Sequence, residues 1–241
     1  MKFLFIGANN PGVGPELSLS KEFKDMGKAF YEVAKHTSRE WGGCNMVHFE
    51  YVFFADASEL SEHLIQVNPT ILHFACHGDR SSALKLFRSE KSLESLQNLL
   101  DTSDCDTDSH LQLVIANACF SHEICNVLCQ KSTVDFIIGY KGEVSDTSAS
   151  IFAQSLYRGL GGKMSLLESF RKARGADQEN NAYCLVGRKH AGTFKFEAES
   201  KSAQSIDTES SVNCNRTEII KYLESEGLGM IAPTICEKLS M

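Results

Sequence analysis

Apolar and polar positions along this 241-residue chain follow two rhythms: short solid apolar runs, and longer stripes that return every three or four residues. The runs are KFLFIGA at 2–8, MVHFEYVFF at 46–54, TILHFACHGD at 70–79, LQLVIAN at 111–117, VDFIIGY at 134–140 and YCLVG at 183–187. Each is rich in Val, Ile, Phe or Leu and bounded by turn formers, which predicts strands. The stripes predict helices. The longest covers 17–36, with Leu19, Phe23, Met26, Phe30 and Val33 on one face. A short one covers 58–67, with Ser58 as its cap and Pro69 as its stop. Others fall at 121–130, at 148–160 with Ile151, Phe152, Leu156 and Leu160 inward, and at 165–174. Strands alternating with helices at this spacing imply an α/β fold, a three-layer αβα arrangement around a mainly parallel central sheet. Such sheets place functional groups beyond the carboxyl ends of their strands.

Two segments break the alternation. Residues 80–110 read as an insertion with a short strand at 83–87, a helix at 92–101 and an acidic loop at 103–109. After residue 196 the chain turns polar and Ser-rich, which predicts a linker at 197–215. A short helical tail at 216–241 follows, with Ile219, Ile220 and Leu223 as its apolar face. The tail is too small to build a core alone. It is expected to dock back on the 1–196 domain or to engage a protein partner.

Composition narrows the picture. An apolar fraction of 42% supports a real core, and a net charge of −7 with no basic stripe argues against a nucleic-acid surface. The opening MKFLFIGAN lacks the long apolar centre of a signal peptide, and no stretch is long enough for a membrane span. Nine cysteines without a paired spacing suit free thiols in a reducing compartment. A cytoplasmic protein is the expectation. The turn-rich loop at 9–15 matches neither G-x-G-x-x-G nor a P-loop, and it reads as a punctuated strand-to-helix connection.

The candidate chemistry lies at two strand ends. One apolar strand ends in His77-Gly78, and another runs into Asn117-Ala118-Cys119. Neighbouring strands would deliver an imidazole and a thiol to one sheet edge, the minimum for nucleophilic attack on an amide. A helix starting just past Cys119 would favour its thiolate. Gly78, without a side chain, lets its N–H approach a substrate carbonyl; with the Cys119 N–H it could hold an oxyanion.

In order, LHFACHGD, VIANACFS and IIGYKGEVSDTSASIFAQSLYRGLGGKMSLLESFRKA, with the opening FLFIGANNPGVGPELSLSKEF, resemble the CHAT family of caspase-like cysteine peptidases over roughly residues 1–190. The resemblance implies a caspase-hemoglobinase fold and a cysteine endopeptidase, hydrolysing amides through an acyl-enzyme with no metal or organic cofactor. Its catalytic His-Gly falls on His77 and Gly78, and its nucleophile, within N-A-C-x-S, on Cys119. An acidic residue near Asp146 lines the S1 pocket in related peptidases, which would select Arg or Lys at P1. The other reading of Asp146 is an N-cap for the helix near Ser148. Asp79 is a weaker S1 candidate. The family also implies a protein substrate and a regulated role in bacterial defence or cell death. The insertion and the tail are available to restrain the enzyme, through an activating or inhibitory partner. If P1 is basic, Lys201, Arg216, Arg171 and Arg174 are possible self-cleavage points.

Blander readings stand beside these. A catalytically silent module of the same fold would serve protein interaction instead. His122, Cys125 and Cys129 share a helix face, but no spacing completes a zinc site, and a buried thiol-lined face is the simpler reading. His73 and Cys76, on the His77 strand, read as core, with His73 on the same face as His77.

Overall fold

A computed structural model describes residues 1–9, 16–36, 47–53, 57–80, 84–86, 89–91, 111–176, 182–187, 191–192 and 194–196. The predicted helix at 92–101, the acidic loop, the linker at 197–215 and the tail helix lie outside the described residues, as do Lys201 and Arg216. The strands are β1 (Lys2–Ala8), β2 (His48–Phe53), β3 (Ile71–Gly78), β4 (Leu84–Leu86), β5 (Ser89–Lys91), β6 (Leu113–Asn117), β7 (Phe136–Tyr140) and β8 (Tyr183–Gly187). The helices are α1 (Leu19–Ala34), α2 (Ala57–Val67), α3 (His122–Lys131), α4 (Asp146–Gly161) and α5 (Leu166–Ala176).

The main sheet runs β2-β1-β3-β6-β7-β8. All neighbours in it are parallel except β8, which returns antiparallel to β7. The central strands are buried along their length, as a sheet covered on both faces requires. The alternation of side chains divides the core in two. Phe3, Phe5, Ile71, Ile115 and Ile138 face α1, α4 and α5. Leu4, Ile6, Leu72, Phe74, Val114 and Ile137 face α2 and α3. The three-layer αβα arrangement expected from the hydrophobic pattern is therefore the observed one.

Helix α1 shows the pattern and its exception. Leu19, Met26, Ala29 and Phe30 are buried as the stripe requires, but Glu22 sits on the same face and is only 4% exposed. Its start is not set by a serine side-chain cap. Asn9, just past β1, holds both backbone groups of Leu17, its Nδ2 donating to Leu17 O at 3.0 Å and its Oδ1 accepting from Leu17 N at 2.8 Å. These two bonds account for the Asn9 side chain.

One local expectation gains a partner and three change. The strand expected at 83–87 is β4, and it forms an antiparallel hairpin with β5, whose polar Ser-Glu-Lys gave no periodic signal. Helix α2 begins at Ala57, so Ser58 lies inside it rather than capping it. Helix α4 begins at Asp146, with Ser145 as its N-cap: Ser145 Oγ accepts from Ser148 N at 3.1 Å. Asp146 therefore does not cap this helix. Helix α5 covers Arg171 and Arg174, so neither offers the extended backbone a peptidase needs. Its start carries a reciprocal cap: Ser165 N and Oγ donate to Glu168 Oε2 at 3.1 and 2.9 Å, and Glu168 N donates to Ser165 Oγ at 3.3 Å.

Candidate active site

The last register pair between β3 and β6 is Ala75 against Asn117. His77 lies two residues further along β3, and Cys119 lies two residues past Asn117 on the turn that follows β6. Adjacent strands lie about 4.8 Å apart. The approach is closer still one residue on. A Cβ added at Gly78 would overlap the Cys119 carbonyl oxygen and lie 3.1 Å from its carbonyl carbon and 3.2 Å from its nitrogen. Only glycine lets the His77 strand end lie flat on the Cys119 turn. The two motifs separated in sequence thus share one sheet edge.

Cys119 sits on a tight turn, half-buried. Phe120 follows with φ 54°, the left-handed region that a bulky side chain rarely adopts. Contacts on both sides keep it there. Phe120 N donates to Gly142 O at 2.8 Å. Ser121, fully buried, spends its hydroxyl on two strands: Oγ donates to Ala116 O at 2.7 Å and accepts from Tyr140 N at 2.9 Å. The thiol is held against the next loop, where Val144 N donates to Cys119 Sγ at 3.4 Å and Val144 O lies 3.8 Å away. Helix α3 starts three residues past the thiol.

His77 is partly exposed at the end of β3 and pairs in register with Lys85 of β4. Lys85 is nearly buried and reaches Asp79, Nζ to Oδ2 2.7 Å. The hairpin thereby clamps the strand end that carries His77-Gly78. Asp79 is neutralised by this pair. Asp146 lies two residues beyond Val144, and its two carboxylate oxygens accept from Ser18 N at 3.4 Å each. It ties the start of α1 to the start of α4. Arg80 lies over the Phe120 ring, its guanidinium 5.5 Å from the centroid.

Behind the turn lies a polar network absent from the sequence reading. Asn117 Nδ2 donates to Glu22 Oε1 at 2.7 Å and to Ala149 O at 3.3 Å, while its Oδ1 accepts from Tyr183 OH at 2.6 Å. Glu22 Oε1 lies 3.3 Å from His73 Nε2, close enough for ion pairing though off the line of a hydrogen bond. His73 Nδ1 meets Tyr157 OH at 3.3 Å, and its ring stacks on Phe5. Burial first, and then the Glu22 charge, push the Tyr157 phenol well above its ordinary value. His73 is core, as expected, but it is core with polar partners. One signal could have revealed this group: Glu22 falls on the buried stripe of α1, and a carboxylate there needs partners.

Among the described thiols, Cys76, Cys125 and Cys129 are buried, unlike Cys119. Cys76 is buried on the opposite face from His73, and burial pushes its pKa up to about 12. Burial likewise raises Cys125 well above the ordinary thiol, and its Sγ donates to Ser121 O at 3.1 Å. Cys129 is buried in the same apolar cluster. Among the described residues no three His, Cys, Asp or Glu side chains are grouped to hold a metal. No described helix is long and apolar enough to cross a membrane.

No known family profile matches the chain, and no curated protein sequence matches it. Solved structures do. Caspase-1 from Spodoptera frugiperda superposes with a TM-score of 0.51 at 12% identity, covering 78% of this chain and 85% of that one. At that identity the likeness is one of fold: a mostly parallel sheet between helical layers, with the antiparallel edge strand β8.

Proposed function

We propose that this caspase-like fold carries a cysteine endopeptidase whose nucleophile is Cys119 and whose base is His77. The observation that carries the reading is the packing of Gly78 directly on the Cys119 backbone, which brings His77 to the thiol's edge of the sheet. In the proposed reaction His77 takes the Cys119 proton and the thiolate attacks the scissile carbonyl carbon. The carbonyl electrons move onto oxygen, where Gly78 N–H and Cys119 N–H would receive the charge. The C–N bond then breaks, and the amine leaves with the proton from His77. Water, deprotonated by His77, cleaves the thioester and returns the thiol.

For specificity we favour Asp146 over Asp79 as the S1 carboxylate. Asp79 is occupied by Lys85, whereas Asp146 accepts only one long backbone contact per oxygen among the bonds described. A free pair of carboxylate lone pairs suits Arg or Lys at P1. The resemblance to CHAT proteases extends the proposal to a regulated protease of bacterial defence or cell death, acting on a protein substrate.

The test is a peptidyl acyloxymethyl ketone with Arg at P1, applied to the full chain and mapped by mass spectrometry. Covalent attachment at Cys119, lost in Cys119→Ala and strongly slowed in His77→Ala, is the expected result. A probe that ignores Cys119, or that labels Cys119→Ala equally, sinks the proposal. Loss of Arg-probe labelling in Asp146→Asn, with an uncharged-P1 probe still reacting, is the outcome expected for the S1 assignment.

A further inference from the structure

We infer that Asn117 is a positioning residue for Cys119, acting through a buried clamp made with Glu22 and Tyr183. This deepens the peptidase reading and rests on Cys119 being the reactive group.

The geometry begins with the shortness of the turn. Only Ala118 separates Asn117 from Cys119, and Phe120 holds a left-handed backbone that the free chain disfavours. Such a turn persists only if both ends are held. Ser121 holds the far end, through Ala116 O and Tyr140 N. Asn117 holds the near end, and it does so against three elements other than its own strand. Glu22 belongs to α1, Ala149 to α4 and Tyr183 to β8.

Every hydrogen-bonding capacity of the Asn117 amide group that matters here is used. Both N–H bonds are donated, to Glu22 and to Ala149, and the oxygen accepts the tyrosine hydroxyl at 2.6 Å. Few residues could substitute. Aspartate would lose both donors and set a second carboxylate against Glu22. Leucine would remove the bonds to Glu22 and Tyr183 in a site where Asn117 and Glu22 are each 4% exposed. The clamp is itself locked, since Tyr183 stacks on Phe152 at 3.5 Å between centroids and 9° between planes. A side chain tied to rigid elements on three sides fixes where its strand ends, and therefore where the thiol two residues later is presented.

The experiment reads the thiol rather than peptide cleavage. The full chain is alkylated with iodoacetamide from pH 5.5 to 9.5, with Cys119 and Cys184 quantified separately by peptide mass spectrometry. Cys184 is the internal control, half-buried on β8 with Sγ donating to Gly139 O at 3.4 Å. Tyr183→Phe and Asn117→Ser should slow Cys119 alkylation roughly tenfold, with Cys184 unchanged, while Glu22→Gln, which keeps the acceptor, should stay within about twofold of wild type. Should Asn117→Ser fail to fold, Tyr183→Phe, which deletes a single hydroxyl, decides. Unchanged Cys119 kinetics in Tyr183→Phe, with or without a lower Tm, would overturn the assignment. So would a parallel change at Cys119 and Cys184, since that reports general loosening. A wild-type chain that cleaves no peptide, while Tyr183→Phe still slows Cys119 alkylation selectively, would sink the peptidase reading and leave the positioning role standing.

Discussion

Gly78→Ala puts a methyl group where the Cys119 carbonyl oxygen already lies, and the three nearest atoms it meets are all backbone. No side chain can rotate away, so either β3 or the Cys119 turn must move. Neither moves cheaply. Hairpin β4–β5 and the Lys85–Asp79 pair hold β3, and Ser121 and Asn117 hold the turn. Overpacking of a well-packed site costs about 1–3 kcal/mol. For a domain of this size each kcal/mol lowers Tm by about 2–4 °C, so the expected fall is roughly 2–12 °C. Differential scanning fluorimetry measures it, and iodoacetamide alkylation of Cys119 in the same samples shows whether the turn has shifted. Gly27→Ala is the contrast. Nothing lies within 4 Å of a Cβ built there, in the middle of α1. Removing a helical glycine should stabilise by about 0.5–1 kcal/mol. A Gly78→Ala protein with wild-type Tm and wild-type Cys119 reactivity would refute the claim that the two motifs pack backbone on backbone.

Three further outcomes follow from the same geometry. Cys119 should alkylate at pH 8 while Cys76, whose pKa burial lifts to about 12, and Cys125 stay unmodified until the protein unfolds; time-resolved peptide mapping checks the order. Phe152→Ala removes a fully buried ring stacked on Tyr183 and should cost about 3–5 kcal/mol by chemical denaturation, with the slope m unchanged. The Ser165 hydroxyl and N–H hold the Glu168 carboxyl below its ordinary value of 4.5, so its contribution is present above that value and is lost as pH falls through the lowered folded one. Glu168→Gln should therefore show a shallower loss of stability on the acid side than wild type, in urea titrations repeated down to pH 3, and equal slopes would contradict the cap.

How far the chain reveals itself before folding depends on the range of the forces involved. Periodicity is local, so the alternation of apolar runs and stripes determined the elements, their order and the three layers, with most boundaries within a residue or two. It also marked His77-Gly78 and Cys119 as strand-end groups, because a turn former after an apolar run is visible in sequence alone. What failed locally was also physical. The β4–β5 hairpin has too few residues to show a period, and Asp146 gave way as a cap to Ser145, whose hydroxyl reaches the Ser148 N–H. The tertiary structure alone decided the rest. Pairing of β3 with β6 brought the two strand ends together, and only contact between distant segments could show that Gly78 is squeezed onto a backbone. The partners of Asn117 come from α1, α4 and β8, each far away along the chain. Hydrophobic burial is written into the order of residues, whereas a buried polar group finds its partners only when the helices and strands have packed.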